Sequence, residues 1–130
     1  MACTGMGQSN TQQTILVVED ECFIRMSAIA TFEDAGFLVH EARNSAEALE
    51  ILARHSETDV LMTDVRMPGF MDGLALVARV KIDHPAIRSI VVSGNSSAAQ
   101  ARNAGASGFV AKPYLAKTIV QAACDTVLRH

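Results

Sequence analysis

Five short apolar runs, each followed by a longer stretch with helical periodicity, constrain this chain more than any other feature. The runs are "TILVV", "FLVHEA", "DVLMT", "RSIVVS" and "SGFVA". They are rich in β-branched residues and mostly apolar at odd and even positions alike, so each reads as a buried strand that needs cover on both faces. Helices following each strand supply that cover, and the arrangement they imply is an α/β fold: a five-stranded parallel sheet, doubly wound as (βα)5. Right-handed crossovers then put the functional crevice beyond the C-terminal ends of the strands.

The intervening stretches have recognisable ends. Ile24, Ala28, Phe32 and Ala35 form one apolar face over residues 22–35, and Gly36 stops it. Asn44 and Glu47 resemble a capping box before an inner stripe of Leu49, Leu52 and Ala53. A third helix is expected to start near Asp72 or Gly73, bury Leu74, Val77 and Ala78, and end before His84 and Pro85. Leu115, Ile119, Ala123 and Val127 give the last helix its core face. Between the fourth and fifth runs, "NSSAAQARNAG" leaves room only for a short helix, capped by Ser96 and ended by Gly105, with an apolar face of small alanines.

Composition narrows the function. With 130 residues, 49% hydrophobic and only 5% aromatic, the core must be built from Val, Ile, Leu, Ala and Met. The net charge of -3 offers no basic stripe for phosphates along a duplex, so direct nucleic-acid binding is not expected. Cys3, Cys22 and Cys124 have no metal-ligand spacing and fit a reducing cytoplasm. No membrane association is expected, for no stretch is long and apolar enough to span a bilayer. The opening "MACTGMGQSNTQQ", residues 1–13, lacks the apolar region of a signal peptide and is expected to be a disordered tail in which Cys3 has no role, ahead of one domain over residues 14–130.

At the strand ends the polar residues converge. The first run ends in Glu19 and Asp20, the third in Asp64 and the fourth in Ser93, while the fifth is followed by Lys112. Several carboxylates at one crevice repel one another, and an all-oxygen donor set of this kind favours a hard cation such as Mg²⁺. Lys112 and the Ser93 hydroxyl add a positive charge and a donor, which suit a phosphoryl group beside the metal. Read alone, Cys22 is expected to serve helix packing, Met62, Met67 and Met71 to fill core or loop gaps, and His84 to mark a helix terminus.

The stretches "VVEDE", "TDVRMPG", "MDG", "VVSGN" and "GASGFVAKPY", in this order from Thr14 to Leu128, resemble the receiver domain of two-component response regulators, a flavodoxin-like fold. The resemblance implies that Asp64 accepts a phosphoryl group, that Asp20 binds Mg²⁺ directly, and that Glu19 acts on the metal through water. It implies that the Arg66 carbonyl completes the metal site, that Lys112 pairs with the phosphoryl oxygens, that Ser93 and Phe109 are switch residues, and that the Lys112-Pro113 bond is cis. The implied partners are a histidine kinase or histidine phosphotransfer protein and a downstream protein target, with a phosphorylation-dependent homodimer as a further state.

Two departures bear on the carry-over. Phe70 lengthens the loop "MPGFMDG" by one residue, and the interval from Ser93 to Lys112 is short by about one helical turn. The expected function is that of a stand-alone receiver that accepts a phosphoryl group from phosphohistidine with Mg²⁺, switches conformation and dephosphorylates itself. The alternatives are a receiver within a larger hybrid kinase or regulator, and an interaction module independent of phosphorylation. A phosphatase acting on free esters fits worse, since Arg66 stands where such enzymes commonly carry a second acid.

Overall fold

In a computed structural model the chain is described over residues 12–128. Strands β1 (Thr14–Val18), β2 (Leu38–Ala42), β3 (Val60–Asp64), β4 (Arg88–Ser93) and β5 (Gly108–Ala111) alternate with helices α1 (Cys22–Asp34), α2 (Ser45–Arg54), α3 (Gly73–Asp83), α4 (Ala98–Ala104) and α5 (Ala116–Leu128). The strands form one parallel sheet in the order β2-β1-β3-β4-β5. The chain changes direction across the sheet between β1 and β3, which is where such folds open their crevice.

Strand alternation divides the core. Ile15, Val17, Val60, Met62, Ile90 and Val92 pack beneath α1 and α5, whereas Leu16, Val18, Leu61 and Val91 pack beneath α2, α3 and α4. Phe32 is fully buried and meets Phe37 edge-on, with ring centroids 5.3 Å apart. Burial of a side chain of that size contributes about 2–3 kcal/mol.

Several expected faces are corrected. In α1, Ile24 is exposed and Arg25 takes its place beside Ala28 and Phe32, because this end of the helix lies over polar strand ends that satisfy a guanidinium. In α2 the inner residues are Ser45, Ala48 and Leu52, with Leu49 half-buried and Ala53 exposed. In α3 they are Leu76, Val77 and Val80, while Leu74 is half-buried and Ala78 exposed. Leu115 precedes α5 and is exposed, and Ile119, Ala123, Cys124 and Thr126 form the covered face, with Val127 half-buried. Ala28, Phe32, Ala35, Leu52, Val77, Ile119 and Ala123 are buried as expected, and the remaining positions shift because several helical phases satisfy an apolar-rich segment and only packing chooses among them.

Strand β2 also departs from expectation: it lies at the sheet edge, and only Ala42 in it is buried. Cys22 is exposed, its thiol 3.7 Å from the Met26 sulfur, and does not pack in the core. The expected tail, residues 1–13, lies outside the described residues up to Thr11, and Cys3 with it. Gln12 donates to the Gly36 carbonyl, and the Gln13 carbonyl accepts from the Leu38 N–H.

Helix α4 has seven residues. Ser97 caps it rather than Ser96: the Ser97 hydroxyl accepts from the Gln100 N–H, and the Gln100 side chain accepts from the Ser97 N–H. Gly105, at φ 108, ends it in the left-handed region. Only Ala101 of its residues is fully buried, so packing holds it weakly. Amide hydrogen exchange is therefore expected to be faster in α4 than in any other helix. Protection in α4 equal to that of α2 would contradict this.

Candidate functional site

Register brings the acids together. Val18 pairs with Thr63, so Glu19 and Asp64, each one residue further along, lie abreast on adjacent strands. Both share the side-chain parity of the strand residues beneath α1 and α5. Asp20 follows at once, and one carboxylate oxygen from each of Glu19, Asp20 and Asp64 lies within 4.8 Å of the other two. Asp20 is exposed, Glu19 is buried, and the Asp64 side chain is only 12% exposed.

Lys112 reaches this group from beyond β5. Its Nζ lies 2.6 Å from Asp64 Oδ2 and 3.3 Å from Glu19 Oε1. Glu19 Oε2 also accepts from the Glu21 N–H at 3.0 Å. Burial pushes the Glu19 carboxyl above its usual range and Asp64 adds to the rise, against the Glu21 N–H and Lys112, which pull it down. Burial pulls the Lys112 ammonium down, but the hydrogen bond to Asp64 and the charges of Glu19 and Asp64 outweigh it and leave it raised. Beside them, burial and the Glu19 charge raise the half-buried Tyr114 hydroxyl. One ammonium thus faces three carboxylates, and the hard-oxygen set fits a small divalent cation such as Mg²⁺.

The loop after Asp64 is closed tightly. The Gly73 N–H donates to the Val65 carbonyl at 2.8 Å, and the Ser45 hydroxyl donates to the Met71 carbonyl at 2.9 Å. A Cβ on Gly73 would overlap the Asp64 carbonyl oxygen, so only glycine fits there. The additional Phe70 is exposed, within the loop that the Val65–Gly73 bond closes. Asp20, Val65, Arg66, Met67, Pro68 and Asp72 line an open groove of about 530 Å³ beside the acids. Arg66 is exposed.

Ser93, at the end of β4, is buried, and its Oγ accepts from the N–H groups of Asn95 at 3.1 Å and Ser96 at 2.9 Å. Phe109 is half-buried against the core beneath α3 and α4. The Lys112-Pro113 peptide is cis, as the resemblance implied.

A model of the response regulator receiver domain family matches residues 15–124. The chain belongs to that family. It is 41% identical over 110 residues to the sensor kinase CckA of Brucella abortus (strain 2308), an alignment covering 82% of this chain and 12% of the kinase. It is 38% identical over 103 residues to the DNA-binding transcriptional regulator NtrC of Escherichia coli (strain K12), covering 77% of this chain and 22% of that protein. This chain therefore spans less than a quarter of the length of either relative. Among solved structures, the receiver domain of NtrX from Brucella abortus superposes with a TM-score of 0.82 at 28% identity, covering 89% of this chain and 99% of that one. A receiver domain from Clostridium thermocellum gives 0.84 at 28% identity, covering 90% and 95%.

This receiver also uses residues that the sequence reading passed over. Arg25 Nη1 donates to the Glu19 carbonyl at 2.9 Å, and its Nε donates to Glu41 at 2.8 Å, so a buried cation braces the backbone that carries the acids. The signal was present: residues 25, 28 and 32 also form a helical stripe, and an arginine in an otherwise apolar stripe implies acceptors beneath it. Thr63 Oγ1 donates to the Asp64 carbonyl at 2.8 Å, bracing the end of β3 from within.

Two substitutions probe this arrangement. Gly73→Ala forces the loop away from the Asp64 carbonyl and is expected to lower stability by about 1–3 kcal/mol, read as a lower melting temperature. An unchanged melt would contradict the close contact. In metal-free buffer at neutral pH, Lys112→Ala is expected to cost roughly 1–3 kcal/mol, the lower end being favoured by the lysine's partial exposure. Glu19 binds its proton more tightly folded than unfolded, so acidification through that raised range relieves the repulsion and the deficit should shrink. Melts of both proteins across the acid range test this, and a deficit that grows on acidification would contradict it.

Proposed function

We propose that this receiver accepts a phosphoryl group from a phosphohistidine onto Asp64 and later releases it to water from the same pocket. The observation that carries the reading is the Asp64–Lys112 pair at 2.6 Å, set beside Glu19 and Asp20 at the mouth of the sheet. Family membership supports it.

In the transfer, an Asp64 carboxylate oxygen attacks phosphorus in line, the P–N bond breaks, and the histidine imidazole leaves as the aspartyl phosphate forms. Lys112, already held beside Asp64, is placed to neutralise charge on the phosphoryl oxygens. Glu19, Asp20 and Asp64, with the Arg66 carbonyl, would hold Mg²⁺, Glu19 acting through water. When bound, the ion supplies positive charge to the phosphoryl oxygens that one lysine cannot. The open groove beside Asp20 and Arg66 gives a donor histidine access.

Ser93 and Phe109 would carry the change outward. The Ser93 oxygen is already accepting two backbone N–H bonds, which leaves its own proton to donate to a phosphoryl oxygen. Moving Ser93 toward Asp64 pulls on residues 95–96 and so on the start of α4, while Phe109 is free to turn inward. The partners in this reading are a histidine kinase or histidine phosphotransfer protein and a downstream protein target, in the cytoplasm, with homodimerisation on phosphorylation as one output. The identity to a sensor kinase supports a second setting, in which such a receiver works inside a larger hybrid kinase.

Intact mass after incubation with acetyl phosphate and Mg²⁺ tests the chemistry. Wild type is expected to gain one phosphoryl group, and chelation of the metal to abolish the gain. Asp64→Asn, which keeps size and polarity but loses the nucleophile, is expected to gain none. An adduct on the variant equal to that on wild type would remove Asp64 from this role.

A further inference from the structure

A second group of potential ligands lies away from the strand-end acids, at the opposite end of α2. His40 projects from β2 and, by its pairing with Leu16, shares the face of the sheet beneath α2. His55 caps the C-terminus of α2, and Glu57 follows two residues later. The two imidazole rings stack with centroids 4.2 Å apart and planes 20° from parallel. His55 Nδ1 lies 3.4 Å from Glu57 Oε2, and one ligand atom from each of the three residues falls within 4.8 Å of the others.

An ordinary stacked pair does not account for all of this. His40 Nε2 is the one buried side-chain nitrogen or oxygen without a hydrogen-bond partner among the described residues. In either tautomer a buried ring nitrogen leaves a donor or an acceptor unused, which is costly. Burial and the neighbouring His55 hold the His40 imidazole below its usual range, which keeps it in the neutral form that binds metals. The scaffold is also fixed. The His55 N–H donates to the Ile51 carbonyl at 2.8 Å, and the His55 carbonyl accepts from both the N–H and the hydroxyl of Thr58 at 3.1 and 2.6 Å. The C-terminus of α2 adds the negative end of a helix dipole, which favours a cation.

We propose that His40, His55 and Glu57 form a binding site for one divalent ion of the zinc class. Two imidazoles and one carboxylate are a donor set that suits Zn²⁺, with water at a fourth position. Mg²⁺, which demands oxygen donors, does not suit it. Tetrahedral zinc at about 2.0–2.1 Å from nitrogen puts its ligand atoms roughly 3.3 Å apart; His55 Nδ1 and Glu57 Oε2, at 3.4 Å, already meet that spacing, and a pair at the 4.8 Å limit would have to close further. The stacked rings must also splay for their lone pairs to converge. His55 and Glu57 have the freedom to do so, with side chains 38% and 61% exposed, while His40 is held by its strand. An ion bound there ties the edge strand β2 to the end of α2.

The test is a Zn²⁺ titration of the whole chain in excess Mg²⁺, which occupies the acidic crevice, followed by competition with a chromogenic chelator and by imidazole NMR. One zinc ion per chain is expected, with the ring signals of His40 and His55 shifting together and that of His84 unmoved. His55→Ala, which keeps the backbone bonds of the helix end, should weaken binding by more than the roughly tenfold that loss of an outer-shell partner brings. Glu57→Gln should weaken it less. Zinc should raise the melting temperature of wild type but not of His55→Ala. No zinc uptake in excess Mg²⁺, equal affinity in wild type and His55→Ala, or shifts confined to other residues would each overturn the proposal.

Discussion

Two carboxylates on adjacent strands, side by side and mostly out of water, are tolerable only because a lysine from a third segment reaches both. Asp64 and Glu19 lie where the parallel register must put them, since each is one step beyond the pair Val18 and Thr63. Lys112 then closes the group from the far side of β4. Much of the local structure is arranged around that requirement. Arg25 braces the Glu19 backbone, Thr63 braces Asp64 from behind, and Gly73 lets the next helix begin against the Asp64 carbonyl. The compensation is incomplete, however, because one ammonium faces three acids. That residual negative charge suits the crevice to a divalent cation.

Such an arrangement was largely legible in the chain because it depends on strands. A parallel strand buried on both faces announces itself as a continuous apolar run, and the residue after the run is then at the sheet mouth. "VLMT" before Asp64 and "LVV" before Glu19 therefore located the acids, and "VVS" and "FVA" did the same for Ser93 and Lys112. Their mutual approach needed one further rule, that crossovers in parallel sheets share one hand.

Helix faces were less legible for a physical reason. In an alanine-rich helix, a shift of one residue in phase exchanges one set of small apolar residues for another at little cost in hydrophobic area. Packing against the sheet decides, which is how Leu76 and Val80 came to be buried and Ala78 exposed. Arg25 was hidden more deeply, for its place in the stripe makes sense only once the Glu19 carbonyl and Glu41 are seen beneath it. The runs "FLVHEA" and "SGFVA" looked as buried as the others but form the two edges of the sheet, with Val39, His40 and Phe109 half-buried. No local pattern distinguishes an edge strand from a central one when its neighbours are set by distant segments.

The short helix α4 joins these two themes. Ser93 is locked into the turn that leads to it by two backbone N–H groups, yet α4 itself buries one alanine fully and has only seven residues. A rigid attachment at one end and little packing along the length leave it, among the described helices, the one held least firmly. A force applied to α3, with Leu76, Val77 and Val80 in the core, would meet an opposing loss of hydrophobic burial several times larger. The short interval between Ser93 and Lys112 therefore leaves a weakly packed helix at that place. In the proposed mechanism, a charge at Asp64 that draws on Ser93 would be felt first in the segment least able to resist it.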